Sequence, residues 1–183
     1  MSTDPKHRTA PTLEGDRVLL RHFRKADFPA HHAIVGDPLV MGQLGAPPLG
    51  TEDAWRRCAA SVGMWDLMGF GGWAVLRRAD DRLIGTVGLF NAWRAMEPEF
   101  GEAPEMGWIF AREVHGQGLA GEACRVALAW ADANLLPTPI WAIVAPGNAP
   151  SLRLAERLGF ERFADSLYTD EPTAVLKRRA RGA

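Results

Sequence analysis

The clearest pattern of apolar and polar positions in the chain runs from residue 105 to residue 131. It begins with a short, mostly apolar stretch over residues 105–111, which predicts a buried strand. A loop with three glycines follows over residues 115–121. Apolar residues then recur at the spacing of one face of an amphipathic helix, so the segment is predicted to fold as a strand, a glycine-rich loop and a helix. The residues of that face are Leu119, Ala123, Val126, Ala127, Trp130 and Ala131.

The rest of the pattern predicts a mixed α/β layer. Further strands are predicted over residues 17–23, 73–78, 82–90, 139–145, 160–167 and 173–178, and helices over residues 25–35, 39–44, 51–68 and 148–158. Thr51 and Asn148 are typical helix N-caps, and Gly159 is typical of the left-handed residue that ends a helix. A turn is predicted over residues 170–172 between the last two strands.

Composition indicates an ordinary globular protein and excludes several classes of function. The 183 residues, 47% hydrophobic and 23% charged, are enough for one domain with a proper core. The polar residues 1–12, with two prolines, predict a flexible tail before a single domain over residues 13–180. The net charge of −1 predicts no nucleic-acid partner, and the five histidines lack the spacing of metal ligands, so no bound metal is predicted. The chain also has no apolar run of membrane length, so no membrane partner is predicted.

The two cysteines bear on the cellular compartment. Cys58 and Cys124 fall within predicted helices, and the chain starts without a signal-peptide pattern. We expect free, buried thiols in a reducing cytoplasm rather than a disulfide. The predicted location is therefore cytoplasmic.

The glycine-rich loop suggests a binding site for an anion. The first turn of a helix offers about four unpaired N–H groups and roughly half a positive charge, and glycines keep side chains away from those donors. The loop therefore predicts a main-chain cradle for a phosphate. It lacks the closing Gly-Lys-Ser/Thr of a P-loop and the third glycine of the dinucleotide fingerprint. Taken alone, it also fits a plain tight connection between a strand and a helix.

The same loop carries a family resemblance. The stretch Gly116-Gln-Gly-Leu-Ala-Gly-Glu-Ala123 resembles the acetyl-CoA loop of the GNAT superfamily of N-acetyltransferases, commonly written Gln/Arg-x-x-Gly-x-Gly/Ala. Gly118 and Ala120 match the last two positions of that motif, whereas His115 stands where Gln or Arg is usual.

Three other segments extend the resemblance to nearly the whole chain. Residues 148–160, which begin with Asn148 and end in Leu-Gly-Phe, resemble the family's Asn-x-x-Ser/Ala helix. Residues 17–28 and 168–178 are similar to the branch that acetylates ribosomal proteins.

The resemblance implies a fold and a co-substrate. The fold would be a GNAT-type α/β layer with a mixed, mainly antiparallel sheet that splays apart and helices on both of its faces. Acetyl-CoA would place its pantetheine arm in the V between the splayed strands and its pyrophosphate over the loop. The residues implied for its binding are Trp108, Ile109, Phe110, Gln117, Gly118, Leu119, Ala120, Gly121, Asn148 and Ser151.

Acetyl transfer to an amine also needs a group that takes a proton from the ammonium. The resemblance makes Glu105 the candidate, because its matching family position often carries a glutamate aimed at the amine. An ion-paired residue at the end of a strand is the alternative role for Glu105. Glu97, Glu99 and Glu102 lie in the acidic loop over residues 91–104 and are alternative candidates.

The proton donor for the leaving thiolate is harder to predict. Many relatives carry a tyrosine seven residues after the Asn, and that position is Ala155 here. The ribosomal-protein branch suggests Ser151 instead, whose alternative role is a hydrogen bond within the first helical turn. A thiol with a pKa of roughly 8.5 also leaves with little help. Tyr168, the single tyrosine, is predicted to pack in the core or contact the acceptor.

The function implied is an acetyl-CoA-dependent N-acetyltransferase. We expect direct attack in a ternary complex, because neither cysteine falls in the predicted cleft. The acceptor would be a primary amine, either a protein N-terminus or a small molecule, and the enzyme a monomer or a homodimer. Two alternatives are a non-catalytic acyl-CoA-binding or sensing domain and an unrelated α/β protein that binds a nucleotide phosphate.

Overall fold

The computed structural model describes residues 9–180, which form one eight-stranded sheet with helices on both of its faces. The strands are β1 (Leu13–Glu14), β2 (Val18–Arg21), β3 (Gly72–Arg77), β4 (Arg82–Phe90), β5 (Glu105–Phe110), β6 (Ile140–Val144), β7 (Glu161–Tyr168) and β8 (Glu171–Arg178). The helices are α1 (Phe28–Val35), α2 (Pro38–Gln43), α3 (Thr51–Met68), α4 (Leu119–Asn134) and α5 (Ala149–Arg157). Every predicted strand and helix is present, and the short β1 is the one strand that the sequence did not predict.

The sheet has the order β1-β2-β3-β4-β5-β6-β8-β7, and its neighbours are antiparallel except for β5 and β6. These two parallel strands are connected through α4, as a parallel connection requires. They pair at a single position, Glu105 with Trp141, beside a 2.9 Å hydrogen bond from the Trp141 N–H to the Pro104 carbonyl. Beyond this bridge the strands do not pair, so the sheet opens into the predicted V.

The burial of β3 shows that both faces of the sheet are covered. Trp73, Ala74, Val75 and Leu76 are all buried, although neighbouring side chains of a strand point to opposite faces. α1 and α3 pack on each other and against β4, whereas α4 contacts β1, β2, β4 and β5. The predicted GNAT-type sheet with helices on both faces is therefore confirmed.

Three tryptophans anchor the centre of the core. Trp65 of α3, Trp73 of β3 and Trp130 of α4 contact one another edge to face, with ring centroids 4.7, 5.1 and 5.3 Å apart. Cys58 and Cys124 are free and buried, as predicted.

The segment before β1 differs from its prediction. A flexible tail was predicted over residues 1–12, but Ala10 is buried and its N–H donates to His22 Nδ1 at 3.2 Å. The Pro11 carbonyl also accepts a 3.0 Å hydrogen bond from Trp73 Nε1. These contacts make residues 10 and 11 part of the domain, and residues 1–8 lie outside the described residues.

Two predicted element ends are also corrected. Gly50, in an extended conformation, is the N-cap of α3, so Thr51 is the first helical residue and caps nothing. The last hairpin turns at Thr169 and Asp170, with φ of 50° and 64°, rather than over residues 170–172. Two left-handed residues are what a tight hairpin turn requires, and they leave the following two residues free to pair in β8.

Candidate active site

The glycine-rich loop lies at the N-terminus of α4, as predicted. Gly118 is the N-cap with φ 78° and Gly116 has φ 75°, a left-handed conformation that strains other residues. The first N–H bonded within α4 is that of Glu122, which donates to the Gly118 carbonyl at 3.1 Å. The N–H groups of residues 119–121 have no acceptor within residues 9–180, and no side chain caps the helix. We call residues 116–121 the phosphate cradle, because their free donors suit an anion.

Arg17 connects the phosphate cradle to the N-terminal strands. Its main-chain N–H and its Nε donate to the Glu122 carboxylate at 2.6 and 2.9 Å, and its Nη1 donates to the Gln117 carbonyl at 3.0 Å. Burial opposes ionisation of Glu122, but the hydrogen bonds from Arg17 outweigh it and lower the pKa of Glu122. Because Gly118 has no side chain, the half-exposed guanidinium lies directly beside the cradle.

A cleft of about 400 Å³ opens where β5 and β6 separate. One side is formed by α2, the loop after it and α3, and the other side by the start of α5 and the β7–β8 hairpin. The predicted residues that line it are Glu105, Trp108, Ile109, Asn148 and Ser151. Phe110 is buried and does not line the cleft. Residues 117–121 do not line it either, because they lie at the N-terminus of α4, beyond the end of β5. The predicted site is therefore divided into the cleft and the phosphate cradle.

The main chain of β5 alternates between two neighbours. The Ala111 N–H donates to the Ile84 carbonyl at 2.9 Å, and alternate residues of an antiparallel strand face the same neighbour. The main-chain groups of Ile109 therefore face β4, whereas those of Trp108 and Phe110 face the open side. Ile109 was predicted to bind the co-substrate, and its side chain is the part of it that is available to a ligand.

His115 occupies the position at which the family usually has Gln or Arg. Its Nε2 donates to the Phe110 carbonyl at 3.1 Å and so links the loop to the end of β5. This bond occupies the carbonyl of Phe110, and the free main-chain edge in the cleft is that of Trp108.

The start of α5 holds a short chain of polar contacts. Asn148 is buried and caps α5 as predicted, with its Oδ1 accepting from the Ser151 N–H at 3.1 Å. The Ser151 hydroxyl accepts from Trp108 Nε1 at 3.3 Å. An indole N–H only donates, so the hydroxyl hydrogen of Ser151 is left free to donate into the cleft.

Glu105 lies in the cleft and is only 3% exposed. Its two carboxylate oxygens accept hydrogen bonds from Arg94 Nε and Nη2 at 2.6 and 2.9 Å, and Arg94 lies over the Tyr168 ring at 4.4 Å. Burial raises the pKa of Glu105, and the hydrogen bonds from Arg94 offset this effect only in part. The structure thus shows the ion-paired arrangement that was the alternative role for Glu105.

The three alternative carboxylates lie elsewhere. Glu97, Glu99 and Glu102 are exposed in the loop before β5, and none of them lines the cleft. Glu99 lines a neighbouring cavity of about 260 Å³, which shares Arg94 and Glu105 with the cleft as a common wall.

Arg57 is a residue of the cleft that the sequence analysis missed. α3 directs its side chain into the cleft, where it has no hydrogen bond or ion pair with any residue in the described part of the chain. Arg57 is exposed as a residue, but the cleft walls around its guanidinium lower the pKa of Arg57, and the charge of Arg94 adds to this effect more than Glu105 opposes it. The sequence did contain a signal for this position. Ala54 and Cys58 belong to the buried face of α3, and Arg57 lies next to them on the helix.

Three further observations concern the described residues. Ala155 is fully buried, so no side chain takes the place of the family's tyrosine in α5. Within residues 9–180 there is no group of three or more His, Cys, Asp or Glu side chains that could hold a metal ion. None of the helices described there combines the length and the apolar character needed to cross a membrane.

Comparisons with known proteins agree with this arrangement. The sequence profile of the family described as "Acetyltransferase (GNAT) domain" matches residues 17–161. A crystal structure of an acetyltransferase from Agrobacterium tumefaciens str. C58 has a TM-score of 0.80 and 26% identity, and covers 97% of this chain and 99% of its own. A structure from Bordetella pertussis, assigned to the same family, has a TM-score of 0.78 and 32% identity, and covers 91% of this chain and 98% of its own.

Two curated relatives match a shorter part of the chain. "Probable N-acetyltransferase YjcK" of Bacillus subtilis (strain 168) is 35% identical over 89 residues, which is 48% of this chain and 46% of that protein. The match thus spans about half the length of YjcK, and about half that of a second relative, YkkB, of the same organism. These matches, the family profile and the splayed sheet confirm the predicted acetyltransferase class. The protein therefore belongs to the GNAT family of acetyltransferases, whose domain covers most of its chain.

Proposed function

We propose that the protein transfers the acetyl group of acetyl-CoA to the amine of a small acceptor by direct attack in a ternary complex. The observation that carries this proposal is the opening between β5 and β6. A single strand, β5, leads from the ionisable Glu105 in the cleft, past the free main-chain edge of Trp108, to the phosphate cradle. Such an arrangement suits a long ligand with phosphates at one end and a reactive group at the other.

The residues present fit acetyl-CoA, which supplies an activated thioester when bound. The free N–H groups of the phosphate cradle and the neighbouring Arg17 would hold the pyrophosphate. The main chain of Trp108 and the start of α5 at Asn148 would hold the pantetheine arm. A side chain added at Gly116 would meet nothing within 4 Å, so the approach to the cradle is open.

The cleft favours a small amine over a protein N-terminus. Its volume of about 400 Å³ lies in the range of small-molecule sites. Met41, Leu44 and Ala46 in and after α2 and Arg57 of α3 narrow it, as expected for an enzyme of small amines. The same fold occurs in a ribosomal-protein-S5-alanine acetyltransferase from Vibrio fischeri and in the aminoglycoside acetyltransferase AAC(6′)-Ib, at 20% and 17% identity. The fold alone therefore does not select the acceptor, and membership of the ribosomal-protein branch stays a prediction.

Glu105 is our candidate for the group that accepts the proton of the amine. Burial raises the pKa of Glu105 toward the range in which a carboxylate is an effective base. Each of its oxygens accepts one hydrogen bond from Arg94 and keeps a second lone pair, which is the position that would take the proton directly or through a water.

Ser151 is our candidate for the proton donor. Its hydroxyl accepts from Trp108 Nε1, and Asn148 fixes its main chain, so its own hydrogen stays free to donate into the cleft. A thiolate leaving group with a pKa of roughly 8.5 needs only weak assistance, which a serine hydroxyl is able to give.

The positions of the thiols support direct attack. Cys58 and Cys124 are buried, and neither lines the cleft. Burial raises the pKa of both thiols, which disfavours the nucleophilic thiolate. No cysteine of the described residues is therefore placed to carry the acetyl group. Free thiols are also what the predicted reducing cytoplasm would maintain.

A calorimetric titration with acetyl-CoA, followed by a screen for amine-dependent release of coenzyme A, tests the proposal. We expect binding of acetyl-CoA and turnover with small amines. Turnover of peptide N-termini alone would identify a protein acetyltransferase. Binding without any turnover would favour a sensing domain, for which the buried Ala155 in place of tyrosine is the supporting observation. Tight binding of ATP or NAD and none of coenzyme A would refute the family-based interpretation of the cradle.

A further inference from the structure

Four charged side chains line the cleft, and only two of them are paired. Arg94 and Glu105 satisfy each other through two hydrogen bonds of 2.6 and 2.9 Å. The side chains of Arg57 and Glu171 make no hydrogen bond or ion pair with any other residue between 9 and 180. The cleft therefore presents one unpaired cation and one unpaired anion to a ligand.

The surroundings of Arg57 explain why it has no partner in the protein. The carboxylate that attracts it, Glu105, has both oxygens bonded to Arg94. Arg57 is exposed as a residue, but the walls of the cleft around its guanidinium disfavour its charge, and repulsion by Arg94 adds to this effect. An anion entering the cleft would offset the repulsion by Arg94, and a carboxylate matches the planar fork of a guanidinium in a bidentate pair.

Glu171 enters the cleft from another wall. It is the first residue of β8 and pairs across the hairpin with Tyr168, the residue whose ring lies under Arg94. Glu171 is exposed, so its carboxylate is within reach of a ligand in the cleft. A carboxylate in this position attracts the ammonium form of an acceptor.

We infer that the acceptor is a small zwitterion, an amine that also carries a carboxylate, of which a free amino acid is the simplest case. This inference rests on the proposed function and names its substrate class. Arg57 binds the carboxylate of the acceptor, and Glu171 attracts its ammonium group. An amine without an anionic group would leave Arg57 without a partner in the cleft.

Matched acceptors isolate the contribution of the carboxylate. Free L-amino acids with side chains from small to aromatic are compared with the corresponding amino acid amides by release of coenzyme A. The amine of the amide is less basic, so more of it is neutral at pH 7.5 and intrinsic reactivity favours the amide. We expect the best amino acid to exceed its amide in kcat/KM by about 10- to 100-fold, mainly through KM, as for hydrogen bonds to a charged group.

Two variants assign this preference to its residues. Arg57→Gln should lower kcat/KM for the amino acid by about 10- to 100-fold and leave the amide almost unchanged. Glu171→Gln should raise KM for the amino acid and the amide alike, because both carry the ammonium group. Arg56→Gln is the matched control, since Arg56 pairs with Glu52 and Asp53 on the exposed side of α3 and should leave both acceptors unaffected.

The outcomes separate this inference from the proposed function. Equal kcat/KM for amino acids and amides would overturn the inference, as would equal losses for both acceptors in Arg57→Gln. In either case amines are still acetylated, so the proposed function stands. Failure of every amine to react, despite binding of acetyl-CoA, would overturn both.

Discussion

His31 of α1 links the packing of the core to the acid stability of the protein. Its side chain is 2% exposed, and neither ring nitrogen has a hydrogen-bond partner in the described structure. The ring lies edge-on to Phe23, with centroids 5.5 Å apart. Burial lowers the pKa of His31 from 6.5 to about 4, and the charge of Arg57 acts in the same direction. We therefore predict that removing this imidazole makes the protein less sensitive to acid.

The sign and size of the effect follow from proton binding. At pH 7.5 the imidazole is neutral in the folded and the unfolded chain, so its contribution is fully present. As the pH falls below 6.5, the unfolded chain binds a proton that the folded chain does not, and the free energy of unfolding decreases. With a pKa near 4 in the folded protein, this loss is about 2 kcal/mol at pH 5 and about 3 kcal/mol at pH 4.

Urea unfolding of the wild type and His31→Leu at pH 7.5 and pH 5 measures this difference, with the fluorescence of the seven tryptophans as the signal. Replacing the imidazole by an apolar leucine also changes the free energy of unfolding in a way that is the same at both pH values. The diagnostic quantity is therefore the difference in the free energy of unfolding between pH 7.5 and pH 5. We expect that change to be about 2 kcal/mol smaller in the variant. His32→Leu, which removes the half-buried neighbouring imidazole, should keep the wild-type change. Equal losses in the wild type and His31→Leu would refute the buried, neutral imidazole.

Three further predictions concern the site. Gly118→Asp should weaken coenzyme A binding at least about 10-fold more than Gly118→Asn, which imposes the same backbone strain but adds no charge. Equal affinities of the two variants in calorimetry would refute the phosphate cradle. Glu105→Gln should lower kcat about 100-fold at neutral pH and recover partly at high pH, where more of the amine is already neutral. An unchanged pH–rate profile would remove Glu105 from the mechanism. Ser151→Ala should lower kcat about 10-fold, less than a full general acid because the thiol leaves readily, and an unchanged rate in single-turnover assays would assign Ser151 to helix structure alone.

Local patterns were sufficient to predict most of the fold and part of the site. The loop at Gly116 and Gly118, the cap at Asn148 and the turn at Gly159, with φ 84°, each depend on neighbours close in sequence. The main-chain direction of Ile109 was not predictable, because it depends on the register of β5 against β4. A pattern of apolar positions does not show which alternate residues bond to which neighbour.

The charged pairs of the cleft required contacts between distant segments. Glu105 was identified from its motif, but its partner Arg94 comes from the preceding loop and Arg57 from α3. Arg94 is the single basic residue among residues 91–104, which was an available signal. Whether such a cation faces solvent or a carboxylate depends on how the loop folds back, and sequence spacing does not fix this.

The lone bridge between Glu105 and Trp141 also bears on how enzymes of this shape diversify. The hairpin that carries Tyr168 and Glu171, which we propose contacts the acceptor, belongs to the half of the sheet beyond that bridge. Little backbone pairing therefore connects it to the half that carries the phosphate cradle. Mutations in this hairpin would change the proposed acceptor site and leave the proposed acetyl-CoA site unchanged. A lineage built on this plan can keep its acetyl donor and still explore new acceptors.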